Sequence, residues 1–282
     1  MSMLKETFTL YNGVKIPKIG YGTWRIYNGP NAVDVFTKAI QAGYRHLDTA
    51  AFYENEQSLG DAIQQTGVPR EELFITSKVP SNIKTYAQTM EYFHTTLKDL
   101  KTDYLDLYLI HGPAPREERH DTRPYDAGNL EVWRALETLY SEGKVRSIGV
   151  SNFAVRDLEN LKANANILPM VNQIRYFIGF TQEAITTFCK ANGILVQAYS
   201  PLGRGGIFDH PQIKRIAEKL EVTPAQLAVR FCLENGTNPL PKSENPQRMR
   251  TNADVDFTID AVSMKALNAI DFDPARDPLP RN

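Results

Sequence analysis

The sequence of 282 residues contains little cysteine, no long apolar run and almost no net charge. Cys189 and Cys232 form no CxxC pair, which argues against a disulfide-stabilised scaffold and a cysteine-rich zinc site. No stretch approaches ~18 consecutive apolar residues, so we expect no membrane-spanning helix. The N-terminal segment MSMLKETFTL lacks the apolar core of a secretory signal. Together these absences predict a reducing, cytoplasmic location.

The charges nearly cancel, since 32 Lys and Arg face 33 Asp and Glu and leave a formal net charge of -1. A basic surface for nucleic acid is therefore not expected. The length allows one large domain or two small ones, at roughly 100–200 residues per domain. Because no Pro/Gly/Ser-rich linker or low-complexity tract divides the chain, we expect residues 1–282 to form one domain. We expect a monomer, with a weak dimer as the alternative.

Eight short apolar runs alternate with longer amphipathic segments. Nearly continuous apolar runs are typical of strands that are covered on both faces. The segments 32–42 and 128–142 each place apolar side chains on one helical stripe. Five such segments end in a glycine, which tolerates the left-handed conformation after a helix. The strand candidates are 18–22, 44–49, 73–79, 104–111, 146–151, 169–174, 194–200 and 238–243, and the glycines are Gly43, Gly67, Gly143, Gly193 and Gly236.

Strand and helix alternate along the whole chain, which favours an α/β fold of the (β/α)8 TIM barrel type. An open doubly wound sheet is the alternative, but no GxGxxG follows the first strand. Before that strand, Asn12-Gly13 lies between two apolar runs within residues 7–17, which predicts a β-hairpin.

Two short motifs only partly match known functional motifs, and the spacing of the histidines does not indicate a metal site. GVSNF at 149–153 resembles a GxSxG nucleophile elbow, but Phe153 replaces the second glycine. GRGG at 203–206 is rich in glycine but lacks the remainder of a phosphate-binding P-loop. We expect no metal site, because metal-ligand spacing is not evident among four histidines, which are His46, His94, His120 and His210.

Four polar residues follow the ends of three neighbouring predicted strands. Asp48 ends the second strand, and Tyr53 lies in the loop that follows. Lys78 and His111 end the third and fourth strands. In a (β/α)8 barrel the carboxyl ends of the strands form the active-site rim. Any one of these residues could be a paired structural group, but four of them at one rim predict a site.

The four residue types suit the protonation of a carbonyl oxygen. A tyrosine has an ordinary pKa of about 10, which is too high for efficient proton donation at neutral pH. A nearby ammonium such as Lys78 would lower that pKa, and Asp48 could hold the ammonium in place. His111 could orient the substrate oxygen. Since none of the four is an obvious nucleophile, we expect a nicotinamide cofactor to supply the reducing electrons.

With these residues in place, the chain resembles the aldo-keto reductase family along nearly its whole length. It is similar to a short-tailed bacterial and fungal branch that includes diketogluconate reductases. The resemblance implies a (β/α)8 barrel whose N-terminal face is capped by a β-hairpin. The motifs that carry it are GYGTW (20–24), YRHLDTAAFYENEQSLG (44–60), FITSKV (74–79), DYLDLYLIHGP (103–113), GVSNF (149–153), VNQI (171–174), YSPLG (199–203) and PKSENPQRMRTN (241–252).

The resemblance also implies a role for each site residue. Tyr53 would be the general acid and Lys78 its pKa-lowering partner. Asp48 would anchor the lysine, and His111 would orient the carbonyl group. Contacts with the nicotinamide carboxamide and ring are implied for Ser151, Asn152, Gln173 and Tyr199, of which Tyr199 would stack on the ring, and Thr23 is a further cofactor-binding candidate.

A second group of residues suits the phosphate end of NADPH, since TIM barrels often bind phosphate after strands seven and eight. Asn245 could cap a helix with Pro246 at its first position, and a helix N-terminus favours an anion. Lys and Arg side chains beside it suit the 2′-phosphate of NADP, although a solvated basic surface is the alternative reading. The implied contacts are Leu202, Gly203, Lys242, Ser243, Arg248 and Asn252.

Departures from the family pattern concern the substrate. Gly112 follows His111 where many relatives have tryptophan, and a glycine at the pocket mouth would widen the pocket. Trp24 and Phe52 remain as candidate walls, with His111 as a further substrate contact. The short C-terminal segment FDPARDPLPRN also predicts an open pocket.

We therefore expect NADPH-dependent reduction of aldehydes and ketones, acting on small dicarbonyls, keto acids or keto esters. Two alternatives stay open. One is a non-catalytic barrel that binds nucleotide and regulates a membrane-protein partner, against which the intact four-residue set argues. The other is a Schiff-base aldolase that uses Lys78 as its nucleophile.

Overall fold

A β-hairpin opens the structure, a computed structural model that describes residues 3–118 and 121–272. Strand β1 (Thr7–Thr9) pairs antiparallel with β2 (Lys15–Pro17). Between them Gly13 has a φ of 87°, the left-handed conformation that the predicted Asn12-Gly13 turn requires. The predicted hairpin is confirmed.

Eight parallel strands follow, each hydrogen-bonded to the next in chain order. They are β3 (Tyr21–Gly22), β4 (His46–Asp48), β5 (Phe74–Val79), β6 (Leu107–Ile110), β7 (Ile148–Ser151), β8 (Val171–Arg175), β9 (Leu195–Tyr199) and β10 (Asn238–Leu240). The first and last strands are joined as well, because the backbone N–H of Gly20 donates to Pro239 O at 3.0 Å and that of Gly22 to Pro241 O at 3.1 Å. These bonds close the sheet, and the predicted (β/α)8 barrel is confirmed.

Helices surround the barrel and connect its strands. The segments predicted at 32–42 and 128–142 are α1 and α4, and the five predicted glycines all have φ between 64° and 103°. Two helices rather than one separate β9 from β10. The helices are α1 (Pro30–Gln41), α2 (Glu56–Thr66), α3 (Tyr86–Leu100), α4 (Asp126–Ser141), α5 (Val155–Asn164), α6 (Glu183–Ala191), α7 (Pro211–Lys219), α8 (Pro224–Glu234), α9 (Pro246–Ala253) and α10 (Ala261–Asn268).

The strands are shorter than the apolar runs that predicted them. The last strand ends at Leu240 rather than residue 243, because Leu240 is the register partner of Tyr199, where the neighbouring strand β9 ends. The described part of the segment between β6 and α4 contains two short 3-10 turns, Arg116–Glu118 and Arg123–Tyr125.

The hairpin covers the N-terminal face of the barrel. Tyr11 Oη donates to Leu168 O, and Asn12 Nδ2 donates to Arg146 O at 3.0 Å. Both carbonyls lie just before a barrel strand begins, so the hairpin tip lies opposite the rim where the strands end. The face with the polar residues is thereby left accessible.

The core lies between the strands and the helices. Helix α4 buries Trp133, whose indole Nε1 donates to Ile167 O at 2.9 Å. Both cysteines are buried and unpaired, in agreement with the expected lack of disulfides. In residues 3–118 and 121–272 no helix has the length and apolar character that a membrane crossing requires.

Candidate active site

Four side chains predicted from the sequence converge at the carboxyl ends of the strands. Asp48 ends β4, and Tyr53 ends a short 3-10 turn that follows it. Lys78 lies near the end of β5, and His111 follows β6 directly. Lys78 Nζ lies 2.7 Å from Asp48 Oδ1 and 3.3 Å from Tyr53 Oη. The rings of Tyr53 and His111 meet edge to face, with centroids 5.5 Å apart.

The ammonium of Lys78 is fully enclosed. Its side chain has 0% exposure, and its third hydrogen bond goes to Thr49 O at 2.7 Å. An ammonium has three N–H donors, and Asp48, Thr49 and Tyr53 accept from all of them. The burial of a charge in this strand is therefore compensated, and the amine is not available to attack a substrate.

The pKa of Tyr53 differs from the sequence-based expectation. Burial raises the pKa of Tyr53 well above its ordinary value, and the nearby Asp48 carboxylate and then Tyr199 add to the rise. We expected Lys78 to lower it. Burial therefore outweighs the effect of the Lys78 ammonium, which lies 3.3 Å from the Tyr53 hydroxyl oxygen. At neutral pH Tyr53 is a neutral phenol.

A cleft of about 760 Å³ opens beside the tyrosine. Among the predicted residues, three do not line it. Lys78 is buried behind Tyr53, and Asn252 is buried in α9. Gly203 has a φ of 54°, and a Cβ there would lie 2.8 Å from Ile207 Cγ2, so its role is to allow a tight turn. The predicted residues that do line the cleft are Thr23, Trp24, Asp48, Phe52, Tyr53, His111, Ser151, Asn152, Gln173, Tyr199, Leu202, Lys242, Ser243 and Arg248.

Aromatic rings form one wall of the cleft. Trp24 stacks on Phe52 with centroids 5.8 Å apart and tilts against Tyr53 at 4.8 Å. Gly112 does not line the cleft, because it is buried with Ser81 Cβ 3.4 Å from the position its own Cβ would occupy. Ser81, which a side chain at position 112 would contact, does line the cleft, so the widening expected at Gly112 stays a prediction. The C-terminal residues 273–282 lie outside the described chain.

A hydrogen-bonded group joins the ends of β7, β8 and β9. Asn152 Nδ2 donates to His111 O and to Ser151 Oγ, each at 3.0 Å. Tyr199 Oη donates to Asn152 Oδ1 at 2.8 Å, which fixes the tyrosine ring at the cleft wall. Ser151 Oγ donates to Gln173 O at 2.9 Å. Because this hydroxyl is engaged with backbone, the serine is not arranged as a hydrolase nucleophile.

The far end of the cleft contains the N-terminus of α9. Asn245 Oδ1 accepts from Arg248 N at 3.0 Å, and Pro246 is the first helical residue, as predicted. Lys242 Nζ pairs with Glu244 at 2.6 Å, and Arg248 lines the cleft beside them. The helix terminus and the cations make this end favourable for an anionic group.

Three arginines that the sequence did not single out also line the cleft, Arg25, Arg116 and Arg204. Each lies a few residues after the end of a strand, and that position in the sequence could have identified it as a candidate.

Among the described residues no group of three or more His, Cys, Asp or Glu side chains is arranged to hold a metal ion. His46 is a packing residue, buried with Nε2 3.0 Å from Thr76 Oγ1, whereas His120 lies outside the described residues.

A buried carboxyl near the lysine was also missed. Glu56 is the first residue of α2, and its oxygens accept from Ser77 Oγ at 2.5 Å and Thr96 Oγ1 at 3.2 Å. Burial raises the pKa of Glu56 from 4.5 to about 7, although the two hydroxyls and Lys78 oppose the rise. Its pattern in the sequence is that of an ordinary acidic residue in the first turn of a helix, so burial was not evident.

Comparison with known proteins identifies the family of the chain. The pattern of the Aldo/keto reductase family matches residues 18–271, and the chain belongs to that family. It is 42% identical to a glyoxal reductase of Bacillus subtilis over 98% of this chain and 97% of that protein. A crystal structure of an aldo/keto reductase from Brucella melitensis has a TM-score of 0.88 at 40% identity and covers 94% of this chain and 99% of that one. A Bombyx mori aldo-keto reductase in complex with NADP has a TM-score of 0.85 at 32% identity, covering 98% and 97%.

The raised pKa of Glu56 predicts a pH-dependent stability. A carboxyl whose pKa is about 7 in the folded state and 4.5 unfolded favours folding below pH 4.5, and that contribution is lost as the pH rises through about 7. At pH 8 we expect Glu56→Gln to be more stable than the wild type by up to about 3 kcal/mol, with little difference near pH 4. Urea unfolding across this pH range measures the difference. Glu54→Gln, at an exposed position beside it, should follow the wild-type profile. Parallel profiles for the wild type and Glu56→Gln would contradict the raised pKa.

Proposed function

We propose that the protein reduces small aldehydes and ketones to alcohols with NADPH, and that Tyr53 is the general acid. The observation that carries this proposal is the Tyr53 hydroxyl, held 3.3 Å from the buried Lys78 ammonium at the wall of a cleft of about 760 Å³. That volume is ordinary for a site that takes a cofactor and a small substrate. Membership of the aldo/keto reductase family and the NADP complex of the Bombyx mori relative support it.

The residues present fit a nicotinamide. When bound, this group supplies the hydride that reduces the carbonyl carbon. Ser151, Asn152 and Gln173 present amide and hydroxyl groups to the cleft for its carboxamide, and the ring of Tyr199 forms an apolar surface for stacking. Tyr53 gives its proton to the carbonyl oxygen, and His111 orients that oxygen. Lys78 stabilises the phenolate that remains, since its ammonium already contacts the hydroxyl oxygen.

Lys242, Ser243 and Arg248 would hold the 2′-phosphate of NADPH. All three line the cleft at the start of α9, where the helix dipole adds to the positive charge. Arg204 lines the cleft in the turn after β9, and it would add a cation near the pyrophosphate. Leu202 and Gly203 would shape this turn. Asn252 is buried in α9, so we propose that it supports the adenine end from beneath.

Small dicarbonyls, keto acids and keto esters remain the proposed substrates. Trp24, Phe52 and His111 line the substrate end of the cleft, and Arg25 and Arg116 add positive charge to its lining. Small, electron-poor carbonyl compounds fit the aromatic wall, and an arginine suits a carboxylate. The name of the Bacillus subtilis relative, a glyoxal reductase, supports a dicarbonyl.

The two alternatives are less well supported. A Schiff-base aldolase requires a nucleophilic amine, but Lys78 has 0% exposure and all three of its N–H groups are engaged. A regulatory barrel without chemistry would not require the Asp48–Lys78–Tyr53 arrangement. Borohydride trapping of a carbonyl compound on Lys78 would revive the first alternative.

Removing the hydroxyl of Tyr53 should abolish most of the chemistry and spare the cofactor. We expect Tyr53→Phe to lower kcat by roughly 10²–10⁴-fold, the range for loss of a general acid. NADPH binding, measured by fluorescence titration, should remain near the wild-type value. Tyr27→Phe, at a tyrosine that is 79% exposed, is the matched control. Turnover of Tyr53→Phe near the wild-type rate would remove the residue as the acid.

Removing the two cations at α9 should affect NADPH much more than NADH. We expect Lys242→Ala with Arg248→Ala to raise the Kd for NADPH by at least about tenfold, because each charge-assisted hydrogen bond contributes about 1.5 kcal/mol or more. Calorimetry with both nucleotides measures this. Arg250→Ala, on the same helix but outside the cleft lining, should change neither Kd. Equal weakening of NADPH and NADH would show that the 2′-phosphate lies elsewhere.

Arg116 should favour anionic substrates. We expect Arg116→Gln to raise KM for a keto acid such as pyruvate roughly fivefold and to leave KM for neutral methylglyoxal unchanged, since one ion pair at an exposed site contributes about 1 kcal/mol. Arg123→Gln is the control, because Arg123 lies in the same loop but pairs with Asp121 and does not line the cleft. The same change in KM for both substrates would contradict a role in charge recognition.

A further inference from the structure

Three buried amide side chains lie on neighbouring strands inside the barrel. Gln173 on β8 is the register partner of Gln197 on β9, which is the register partner of Asn238 on β10. Their exposures are 2%, 0% and 0%. Buried amides are costly unless their donors and acceptors are paired, so the way in which these three are satisfied constrains all of them together.

The lower end of this group is fixed by backbone. Asn238 Nδ2 donates to Pro17 O at 2.9 Å and to Lys18 O at 2.8 Å, in the segment that leaves the hairpin. Backbone carbonyls only accept, so Asn238 has to direct its NH2 group toward them and its Oδ1 into the barrel. Gln197 Nε2 donates to that Oδ1 at 2.9 Å.

The upper end of the group is fixed by the catalytic carboxylate. Gln173 Nε2 donates to Gln197 Oε1 and to Asp48 Oδ2, both at 2.7 Å. An ionised carboxylate also only accepts hydrogen bonds. Asp48 at one end and the Pro17 and Lys18 carbonyls at the other therefore require the same orientation of the Gln173 amide, with its NH2 group directed into the barrel. Both of its amide hydrogens are thereby engaged inside the barrel, and Oε1 is the polar atom it has available for the cleft that it lines.

We propose that Gln197 and Asn238 are positioning residues that fix the orientation of the Gln173 amide, so that the cleft presents an acceptor to an N–H group of the ligand. The inference rests on the proposed function, in which that ligand group is the nicotinamide carboxamide. Neither positioning residue reaches the cleft lining, and each acts through Gln173. Replacing Gln197 by an apolar residue leaves one buried N–H of Gln173 without its acceptor. The side chain relieves this by turning toward the cleft, where it no longer offers Oε1 alone.

The test compares NADP with its 3-acetylpyridine analogue, which carries an acetyl group in place of the carboxamide and therefore has no amide N–H. We expect the wild type to bind NADP about tenfold more tightly than the analogue, since an unpaired acceptor in the site opposes binding of the analogue. In Gln197→Met the preference should fall to about twofold. Calorimetric Kd values for both nucleotides give the ratio without reference to turnover.

Thr237→Val is the matched control. Thr237 is the neighbour of Asn238 and its hydroxyl donates to Cys232 O at 2.9 Å, so this variant loses one buried hydrogen bond, against two in Gln197→Met, and leaves the three amides intact. It should lose stability but keep the tenfold preference. If Gln197→Met does not fold, Gln197→Asn provides the same comparison, because it keeps an amide but shortens its reach.

The outcomes separate the inference from the proposed function. A wild-type preference that persists in full in Gln197→Met or Gln197→Asn overturns the inference, as does a wild type that binds both nucleotides equally. A wild type that binds neither nucleotide overturns the proposed function and the inference with it. A preference lost in the Gln197 variant and kept in Thr237→Val supports both.

Discussion

The structure depends on one buried charge, the ammonium of Lys78. A lysine with 0% exposure inside a barrel is unstable unless every donor has an acceptor, and the chain supplies a carboxylate, a carbonyl and a phenol from the segment between β4 and α2. The need for a third acceptor fixes the position of Tyr53, because its hydroxyl accepts the one Lys78 N–H that Asp48 and Thr49 leave unpaired. The chemistry of the site therefore follows from the way in which the core satisfies a single cation.

The carboxylate has two functions in this arrangement. Asp48 opposes the lowering of the Lys78 pKa by burial, and its charge adds to the burial that raises the pKa of the Tyr53 phenol. The second oxygen of Asp48 accepts from Gln173, which connects this carboxylate through Gln197 and Asn238 to the backbone at the end of the hairpin. Hydrogen bonds thus link the carboxyl ends of the strands to the N-terminal face of the barrel, so the site and the barrel interior form one connected network.

Local patterns in the sequence were sufficient for the fold and for much of the site. Apolar runs gave the eight strands, glycines at helix ends gave the turns, and Asn245-Pro246 gave the start of α9. Features that depend on register or burial were not accessible in this way. That Gln173 and Gln197 are opposite one another follows from the alignment of β8 with β9, which no residue in either strand encodes alone. The pKa of Tyr53 and the burial of Glu56 and Gly112 depend on packing in three dimensions, as does the convergence of Arg25, Arg116 and Arg204 from three separate loops.

Both thiols of the protein lie in the core, and burial raises the pKa of Cys189 to about 11 and that of Cys232 to about 12. Since the thiolate is the reactive form, neither sulfur is a nucleophile at neutral pH. Dicarbonyl compounds are electrophiles that form adducts with exposed thiolates and free amines. Because both sulfur atoms and the Lys78 amine are enclosed, these groups are protected from such adducts, and that protection is a property of the same packing that stabilises the barrel.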